Sequence, residues 1–253
     1  MVNEGDRLLE AELAYHEKLY SGFAQEHFAK PAVRALRRHV VDRICRLTNA
    51  GPLSRVLSLG CGIGDTELLL APRVAEIIGV DLSPKAVEQA CADAARLGQP
   101  NARFIEGTAA SVEGAFDLII AIFFLHHLQD RDLEELPNQV WRLLKPRGIF
   151  YSLDPNARRL SGAVGRLLIP GLMKKYQTEG ERELSPEATA GLFRRAGFEV
   201  RSEMYDFGSS PLAGLFPGWR FGYVCARRLD DWLLRVPVLR RIGSNFEIIA
   251  RRP

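Results

Sequence analysis

Residues 56–83 read VLSLGCGIGDTELLLAPRVAEIIGVDLS, and this stretch decides the fold. An apolar run from Val56 enters a turn with glycine at positions 60, 62 and 64, a helical pattern follows, and a second apolar run ends at Asp81. Glycine lets the backbone turn tightly and approach a ligand where a Cβ atom would clash. A carboxylate at the end of the second strand can accept hydrogen bonds from two ribose hydroxyls. The stretch is therefore typical of a nucleoside-binding unit.

The spacing of the glycines separates two ligand classes. A dinucleotide fingerprint has G-x-G-x-x-G, whose third glycine packs the helix against the strand behind a pyrophosphate, whereas this chain has G-x-G-x-G. The pattern resembles motif I of the class I S-adenosylmethionine-dependent methyltransferases, and the resemblance runs from Val56 to about Asp154 and includes the final strand. It implies that the loop surrounds the amino-acid part of S-adenosylmethionine, and it disfavours an NAD-linked oxidoreductase.

The resemblance implies a set of cofactor contacts. Main-chain groups of the glycine loop are expected to hold the amino-acid part, Asp81 the ribose hydroxyls, and Leu82 one face of the adenine. Thr108 and the backbone of Ala109 are expected at the adenine amino group, and Tyr20 in a lid over the cofactor. The complete set of expected cofactor-binding residues is Tyr20, Ser58, Gly60, Cys61, Gly62, Gly64, Asp81, Leu82, Thr108, Ala109 and Ala121.

Two positions depart from the pattern of that family. Motif I usually begins with an acidic residue two positions before its first glycine, and Ser58 stands there. A serine can form hydrogen bonds but cannot offset the positive charge of the cofactor's ammonium group. After the third strand the family often has an aspartate, where this chain has Thr108. These departures leave a second interpretation open, a non-catalytic nucleoside-binding or partner subunit with the same fold.

The composition is that of one soluble, globular domain. Of the 253 residues, 47% are hydrophobic and 26% are charged, so the chain is long enough to bury one substantial core. A net charge of only +3 provides no global field that would recruit nucleic acid, and we expect no nucleic-acid partner. The four cysteines lack disulfide or metal spacing, and the acidic first residues lack the apolar run of a signal peptide. We therefore expect a cytoplasmic protein with reduced thiols.

The rest of the chain extends the nucleoside-binding unit into a single domain, residues 1–253. Apolar residues at three-to-four spacing predict helices over 10–48, an N-terminal helical lid whose second helix opens at Pro31. Residues 53–206 alternate short strands with helices, as a parallel sheet requires. Residues 207–244 are expected to form a helical cap inserted before the last strand, 245–253. With the strand order that the resemblance implies, the fold is α/β: a Rossmann-like, mostly parallel sheet of seven strands with helices on both faces and an antiparallel last strand.

Strands four and five lead to the expected reaction centre. Strand four is predicted over 116–123, and a helix containing Trp141 and Leu144 is predicted to end at a turn, 145–148. This turn starts strand five, which ends at Asp154. Because ligands bind at the carboxyl edge of open α/β sheets, the residues that follow these two strands are the ones expected to face the acceptor.

Three titratable side chains near that edge are candidates for catalysis. Methyl transfer from a sulfonium needs alignment, and a base where the acceptor is a weak nucleophile. His126 and His127 follow strand four, and an imidazole is able to act as a base at pH 7. Asp154 follows strand five and would position an acceptor hydroxyl. Histidines also cap helices and Asp-Pro-Asn is an ordinary turn, so structural roles stay open for all three. No set of convergent oxygen ligands indicates a metal site.

The cap carries the only indication of the acceptor. Its many aromatic and aliphatic residues beside arginines suit a small lipophilic or aromatic acceptor, and equally an amphipathic helix on a membrane surface or core packing over the sheet. The leading prediction is S-adenosylmethionine-dependent methyl transfer to oxygen or carbon of a small metabolite. The sequence does not indicate the oligomeric state.

Overall fold

The computed structural model describes residues 23–159 and 184–253, and in this part of the chain seven strands form one sheet. The strands are β1 (Arg55–Leu59), β2 (Glu76–Asp81), β3 (Ala102–Glu106), β4 (Phe116–Ile122), β5 (Leu144–Pro155), β6 (Glu199–Asp206) and β7 (Asn245–Arg251). The described α-helices are α1 (Phe23–Ala29), α2 (Pro31–Thr48), α3 (Glu67–Leu70), α4 (Pro84–Arg96), α5 (Asp130–Leu143), α6 (Pro186–Arg195), α7 (Ser209–Leu215) and α8 (Arg220–Leu233).

The strand order is β3-β2-β1-β4-β5-β7-β6. Strands β1 to β5 pair in parallel, whereas β7 pairs antiparallel with both β5 and β6. The predicted fold class, a mostly parallel seven-stranded sheet with an antiparallel last strand, is therefore confirmed. The order reverses at β1, which has β2 on one side and β4 on the other. Such a switch point opens a crevice at the carboxyl ends of the strands, where ligands bind in this class of fold.

Helices cover both faces of the sheet. On one face, Val40 and Ile44 of α2 are completely buried and belong to the same apolar cluster as Val56 of β1. On the other face, Val140 of α5 belongs to the cluster that contains Leu57. Successive residues of β1 thus enter opposite clusters, as the alternation of side chains along a strand requires.

The N-terminal helices are described only in part. Helix α2 begins at Pro31, as predicted, because proline is favourable in a first turn where its missing N–H group has no partner. The buried face of α2 makes it a layer of the core. Residues 10–22 of the predicted lid, with Tyr20, lie outside the described residues, and the role of a lid stays a prediction.

The boundary between α5 and β5 differs from the prediction. Leu144 is the first residue of β5 and does not belong to the helix, because it pairs in the parallel ladder with Phe116 of β4. The next pair in register is Leu118 with Ile149. Residues 145–148 therefore bulge out of the ladder within β5 instead of preceding it as a separate turn. Strand β4 ends one residue before the predicted Phe123, which has a φ of 54°.

The inserted segment, residues 207–244, is helical as predicted and starts and ends at the carboxyl edge of the sheet, where Asp206 pairs with Asn245. Asp230 of α8 accepts hydrogen bonds from the backbone N–H groups of Gly208 and Ser209, at 3.0 and 2.8 Å. A carboxylate at a helix N-terminus satisfies otherwise unpaired N–H groups and opposes the positive end of the helix dipole. Helix α8 thereby fixes the start of α7, and both helices pack on α2.

In residues 23–159 and 184–253, no helix has the length and apolar character needed to span a bilayer. All four cysteines of the chain lie in these ranges, and each is a free thiol.

Candidate active site

The glycine loop after β1 has the backbone conformation that the sequence indicates. Gly60, Gly62 and Gly64 have φ values of 65°, 51° and 74°, in the left-handed region that other residues rarely adopt. Packing adds a second requirement at two of them. A Cβ atom on Gly60 would overlap the ring of Phe124, and one on Gly64 would lie 2.7 Å from the ring of Phe104. Both conformation and space therefore demand glycine at these positions.

Asp81 connects the loop to the end of β2. Its Oδ2 atom accepts a hydrogen bond from the backbone N–H of Gly62 at 2.8 Å, and its Oδ1 atom accepts one from Ser83 at 2.9 Å. These two bonds fix the carboxylate, and the remaining lone pairs can still accept from ligand hydroxyls. The next side chain, Leu82, is 40% exposed and apolar. Ala121 of β4 pairs with Leu59, the last residue of β1, on the side of β1 opposite β2.

The residues after β3 serve the local turn. The hydroxyl of Thr108 accepts a hydrogen bond from the N–H of Ala110 at 3.2 Å, and the N–H of Thr108 donates to the Ser111 hydroxyl at 3.3 Å. This reciprocal arrangement caps a short 3₁₀ helix, Ala109–Ser111, in which Ala109 is buried. Thr108 thus lies on the β3 side of the crevice with its hydroxyl engaged in the cap, and its contact with adenine stays a prediction.

Cys61 is buried between the glycine loop and β2. Burial raises the pKa of its thiol well above the ordinary value, and the charges of Glu67 and Asp81 act in the same direction. A thiol held in its neutral form is a poor nucleophile. The structure thus favours the prediction that Cys61 is a small spacer in the loop.

A buried glutamate that the sequence analysis did not single out lies next to Ser58. The Ser58 hydroxyl donates to Oε1 of Glu67 at 2.6 Å, and the exposed fractions of the two residues are 1% and 2%. Within the described residues, Oε2 of Glu67 has no hydrogen-bond partner. Burial, reinforced by the nearby charge of Asp65, raises the pKa of Glu67 to about 7. One sequence signal points to Glu67: it is an acid three residues after Gly64, in a motif I whose usual acid is replaced by Ser58.

The residues of this crevice fit S-adenosylmethionine. A fixed carboxylate at Asp81 suits a ribose, and the exposed apolar side chain of Leu82 beside it suits the face of a base. The unpartnered Oε2 atom of Glu67 suits a positively charged group such as an ammonium. These features are at the carboxyl ends of β1 and β2, or on the helix that follows the glycine loop.

Two of the three catalytic candidates are in contact. Nδ1 of His126 lies 3.0 Å from Oδ1 of Asp154, and the same oxygen accepts the backbone N–H of His126 at 3.4 Å. Both residues are buried, and Oδ2 of Asp154 has no partner within the described residues. The contact forms because β4 and β5 are neighbours, which brings their carboxyl ends together. The ring of His127 lies beside that of His126, with centroids 4.0 Å apart.

Asn156, which follows this pair in the chain, has a structural role. Its side-chain amide donates to the carbonyl oxygens of Gly243 and Arg241, at 2.9 and 3.3 Å, and the residue is fully buried. These bonds fasten the end of the inserted segment to the end of β5.

A second buried glutamate, Glu247 of β7, was also missed by the sequence analysis. Arg43 of α2 donates from Nε to its two carboxylate oxygens at 2.6 and 2.7 Å, and the Tyr151 hydroxyl donates to it at 2.5 Å. Burial raises the pKa of Tyr151 well above its ordinary value, so the phenol stays protonated and remains a donor. Arg43 also contacts the partly exposed Glu203 at 3.1 Å. No short motif predicts this network, because Arg43 and Glu247 are 204 residues apart.

Comparisons with known proteins concern the family and the fold of the chain. A family model described as a methyltransferase domain matches residues 56–148. An uncharacterised methyltransferase of Synechocystis sp. is 33% identical over 165 residues, which cover 62% of this chain and 73% of that protein. A ubiquinone biosynthesis O-methyltransferase of Chromobacterium violaceum is 27% identical over 190 residues, with coverage of 73% and 79%. The crystal structure of magnesium protoporphyrin IX methyltransferase from Synechocystis, with bound SAH, superposes with a TM-score of 0.64 at 15% identity, covering 96% of this chain and all of that one.

Proposed function

Because this chain belongs to the class I S-adenosylmethionine-dependent methyltransferases, we propose that its acceptor is a small, lipophilic aromatic compound that is methylated on oxygen or carbon. The protein is an enzyme, not the non-catalytic subunit that the sequence left open, and its cofactor is S-adenosylmethionine. When bound, this cofactor supplies an electrophilic methyl group on a sulfonium. The residues of the chain have to bind the acceptor, align it, and remove a proton from it.

The observation that carries the proposal is the contact between His126 and Asp154. A carboxylate 3.0 Å from Nδ1 favours the tautomer with its proton on that atom. Nε2 then has a free lone pair and can accept a proton. A buried, oriented imidazole at the carboxyl edge is what a hydroxyl acceptor requires, because a phenol is a far weaker nucleophile than its phenolate. We therefore propose His126 as the base, Asp154 as the residue that orients it, and oxygen as the methylated atom.

The acceptor class is supported by relatives and by the cap. One similar protein is named for ubiquinone biosynthesis and another for magnesium protoporphyrin IX. Ubiquinone and magnesium protoporphyrin IX are both lipophilic molecules with conjugated rings. The inserted segment starts and ends at the edge of the sheet that carries His126 and Asp154. It is rich in apolar side chains, which suits such an acceptor. Carbon methylation of the same kind of ring is the remaining possibility.

The experiment is a methylation assay with a catechol that carries an isoprenoid tail. We expect S-adenosylhomocysteine to form and mass spectrometry to locate the new methyl group on oxygen. His126→Ala should lower kcat by about 10²–10⁴-fold, the usual contribution of a general base, without weakening S-adenosylhomocysteine binding. His127→Ala distinguishes the two histidines, since its effect should be below about tenfold. A methyl group on ring carbon would overturn the oxygen assignment, and an unchanged kcat in His126→Ala would overturn the base.

We further propose that residues 207–244 contact an anionic membrane surface. Phe221 is 73% exposed, and several other large apolar side chains of the segment are exposed with it. These are Leu215, Phe216, Trp219, Leu229, Trp232, Val236 and Val238. A cleft of about 510 Å³ between α2 and α8 lies beside them and is lined by five arginines: Arg34, Arg38, Arg220, Arg227 and Arg228. Apolar side chains next to basic ones favour the interface of an anionic bilayer.

The charge balance of the cleft supports this contact. Among the described residues that line the cleft, the one acid, Asp42, pairs with Arg73 at 2.6 Å. In the part of the chain that the structure describes, Arg34, Arg38, Arg220 and Arg228 have no acidic partner. A flotation assay with phosphatidylglycerol vesicles should show binding that falls with added salt. Equal binding to phosphatidylcholine vesicles, or none to either, would contradict the proposal.

A cytoplasmic location, which the four free cysteines support, is part of the same proposal.

A further inference from the structure

Ser58 occupies the place where the motif usually has an acid, yet the structure brings an acid to it. Glu67 belongs to α3, the short helix that follows the glycine loop, and its Oε1 atom accepts the Ser58 hydroxyl hydrogen at 2.6 Å. Both residues are nearly inaccessible to solvent. A carboxylate is therefore present at the end of β1 after all, contributed by a residue nine positions later in the chain.

This carboxylate is only half satisfied. Within the described residues its Oε2 atom has no hydrogen-bond partner. The guanidinium whose charge acts on Glu67, that of Arg37 on α2, pairs instead with Asp65 at 2.5 Å. Among the described residues, the other charged or titratable groups that act on this part of the loop are Asp65 itself, Asp81 and the thiols of Cys61 and Cys91. A buried carboxylate oxygen without a donor is costly, so a cationic ligand at this point would be bound strongly.

We propose that Glu67 supplies the negative charge missing at Ser58 and binds the ammonium group of the cofactor's amino-acid part, with Ser58 holding its carboxylate in place. Glu67 would then act as a cofactor-binding residue, and Ser58 as a positioning residue. The proposal rests on the cofactor and is independent of the acceptor proposed above. It also accounts for two unusual residues together, a serine where an acid is expected and a buried glutamate where the loop enters its helix.

The test compares two ligands that differ in the ammonium-bearing part. S-adenosylhomocysteine carries the amino-acid group, whereas 5′-methylthioadenosine has the same nucleoside and sulfur without it. Glu67→Gln keeps the size of the side chain and its hydrogen bond to Ser58. We expect calorimetry to show at least a tenfold loss of S-adenosylhomocysteine affinity and no loss for methylthioadenosine. Equal losses for both ligands, or no loss for either, would overturn the proposal.

Two further measurements test the proposal: the affinity of a double variant that moves the acid to position 58, and the number of protons released when the ligand binds. In Ser58→Asp combined with Glu67→Gln the acid returns to its usual place, and S-adenosylhomocysteine affinity should recover to within about threefold of the original. Burial places the pKa of Glu67 at about 7, so ammonium binding should release about half a proton at pH 7. Calorimetry in buffers of different ionisation enthalpy measures this release, and Glu67→Gln should lack it. Equal release in both proteins would overturn the proposal.

Glu76→Gln serves as the matched control, because Glu76 lies at the amino end of β2, on the opposite edge of the sheet from Asp81. It pairs with Arg55 there at 2.9 Å. This variant also loses a carboxylate, but far from the glycine loop, and it should bind S-adenosylhomocysteine normally. The control thus shows whether an affinity loss in Glu67→Gln depends on the position of the carboxylate. Thermal unfolding of every variant confirms that each one is folded before affinities are compared.

Discussion

Glu67 and Glu247 are buried to nearly the same extent, with exposed fractions of 2% and 0%, and their surroundings are opposite. Glu247 receives hydrogen bonds from the guanidinium of Arg43 and from the hydroxyl of Tyr151. Glu67 receives one from Ser58, and its second oxygen has no partner in the described part of the chain. A fully paired buried charge needs nothing further, whereas a half-paired one is unfavourable until a ligand completes it. The contrast separates an acid that maintains the fold from one that is suited to binding.

The largest expected effect is on stability, in Glu247→Ala. Removal of this side chain leaves the guanidinium of Arg43 in the interior without its main partner, and breaking a buried ion pair costs about 3–5 kcal/mol. Denaturant unfolding measures the loss. A loss below about 1 kcal/mol would show that solvent and Glu203, which Arg43 already contacts, are sufficient partners for the guanidinium, and the contrast with Glu67 would fail.

The second prediction concerns the pH dependence of stability at Glu67. Burial raises the pKa of this acid from 4.5 to about 7, so the folded protein binds more protons than the unfolded chain between these values. The free energy of unfolding therefore decreases as pH rises through this range, by about 3 kcal/mol in total. Glu67→Gln should remove this decrease, so the variant becomes more stable than the original protein above pH 7.

The measurement is a series of unfolding curves from pH 4.5 to pH 8 on both proteins. Only their difference reports on Glu67, because burial and the charge of Arg227 lower the pKa of His39 to about 4. That histidine contributes stability above pH 6.5 that is lost as pH falls toward 4, a dependence of opposite sign. A difference between the two proteins that does not vary with pH would contradict the prediction.

Asp81 provides a third kind of carboxylate, half-buried and fixed by backbone N–H groups. Asp81→Ala should weaken S-adenosylhomocysteine binding by more than tenfold, because two charge-assisted bonds to the ribose are lost. Asp117→Ala is the control, since Asp117 also accepts a backbone N–H, from Arg55, but lies at the amino end of β4. Unchanged affinity in Asp81→Ala, measured by calorimetry, would refute the ribose assignment.

The smallest expected effect is in Glu203→Gln. Glu203 contacts the same guanidinium as Glu247, but its side chain is 36% exposed. Partly exposed ion pairs contribute about 0–1 kcal/mol, so denaturant unfolding should detect a change below about 1 kcal/mol. A change as large as that in Glu247→Ala would show that proximity to Arg43, and not burial, sets the energy.

The sequence predicts most of the fold because its signals are local. The apolar runs, the glycine loop and Asp81 lie within one βαβ unit, and each indicates its own geometry. The strand order came from the family resemblance. The boundary at Leu144 was wrong because pairing with Phe116 of the neighbouring strand, and not helical periodicity, decides that residue.

The site was predicted less completely, because its contacts join residues that are distant in the chain. His126 and Asp154 were both candidates, yet their contact depends on β4 and β5 being neighbours. The bond from Ser58 to Glu67 depends on how a four-residue helix turns after the glycine loop. Side-chain partners of this kind follow from packing, which a single sequence does not specify.

The position of β7 has a consequence for synthesis of the protein. Of the seven described strands it is the last to be made, yet it pairs on both sides, with β5 and with β6. Until residue 251 has left the ribosome, the nascent chain holds two strand edges without their partner, and such edges promote aggregation. Proteolysis that removes residues 245–251 would extract an interior strand together with the acid that neutralises Arg43, so β6 would lose its pairing with the rest of the sheet.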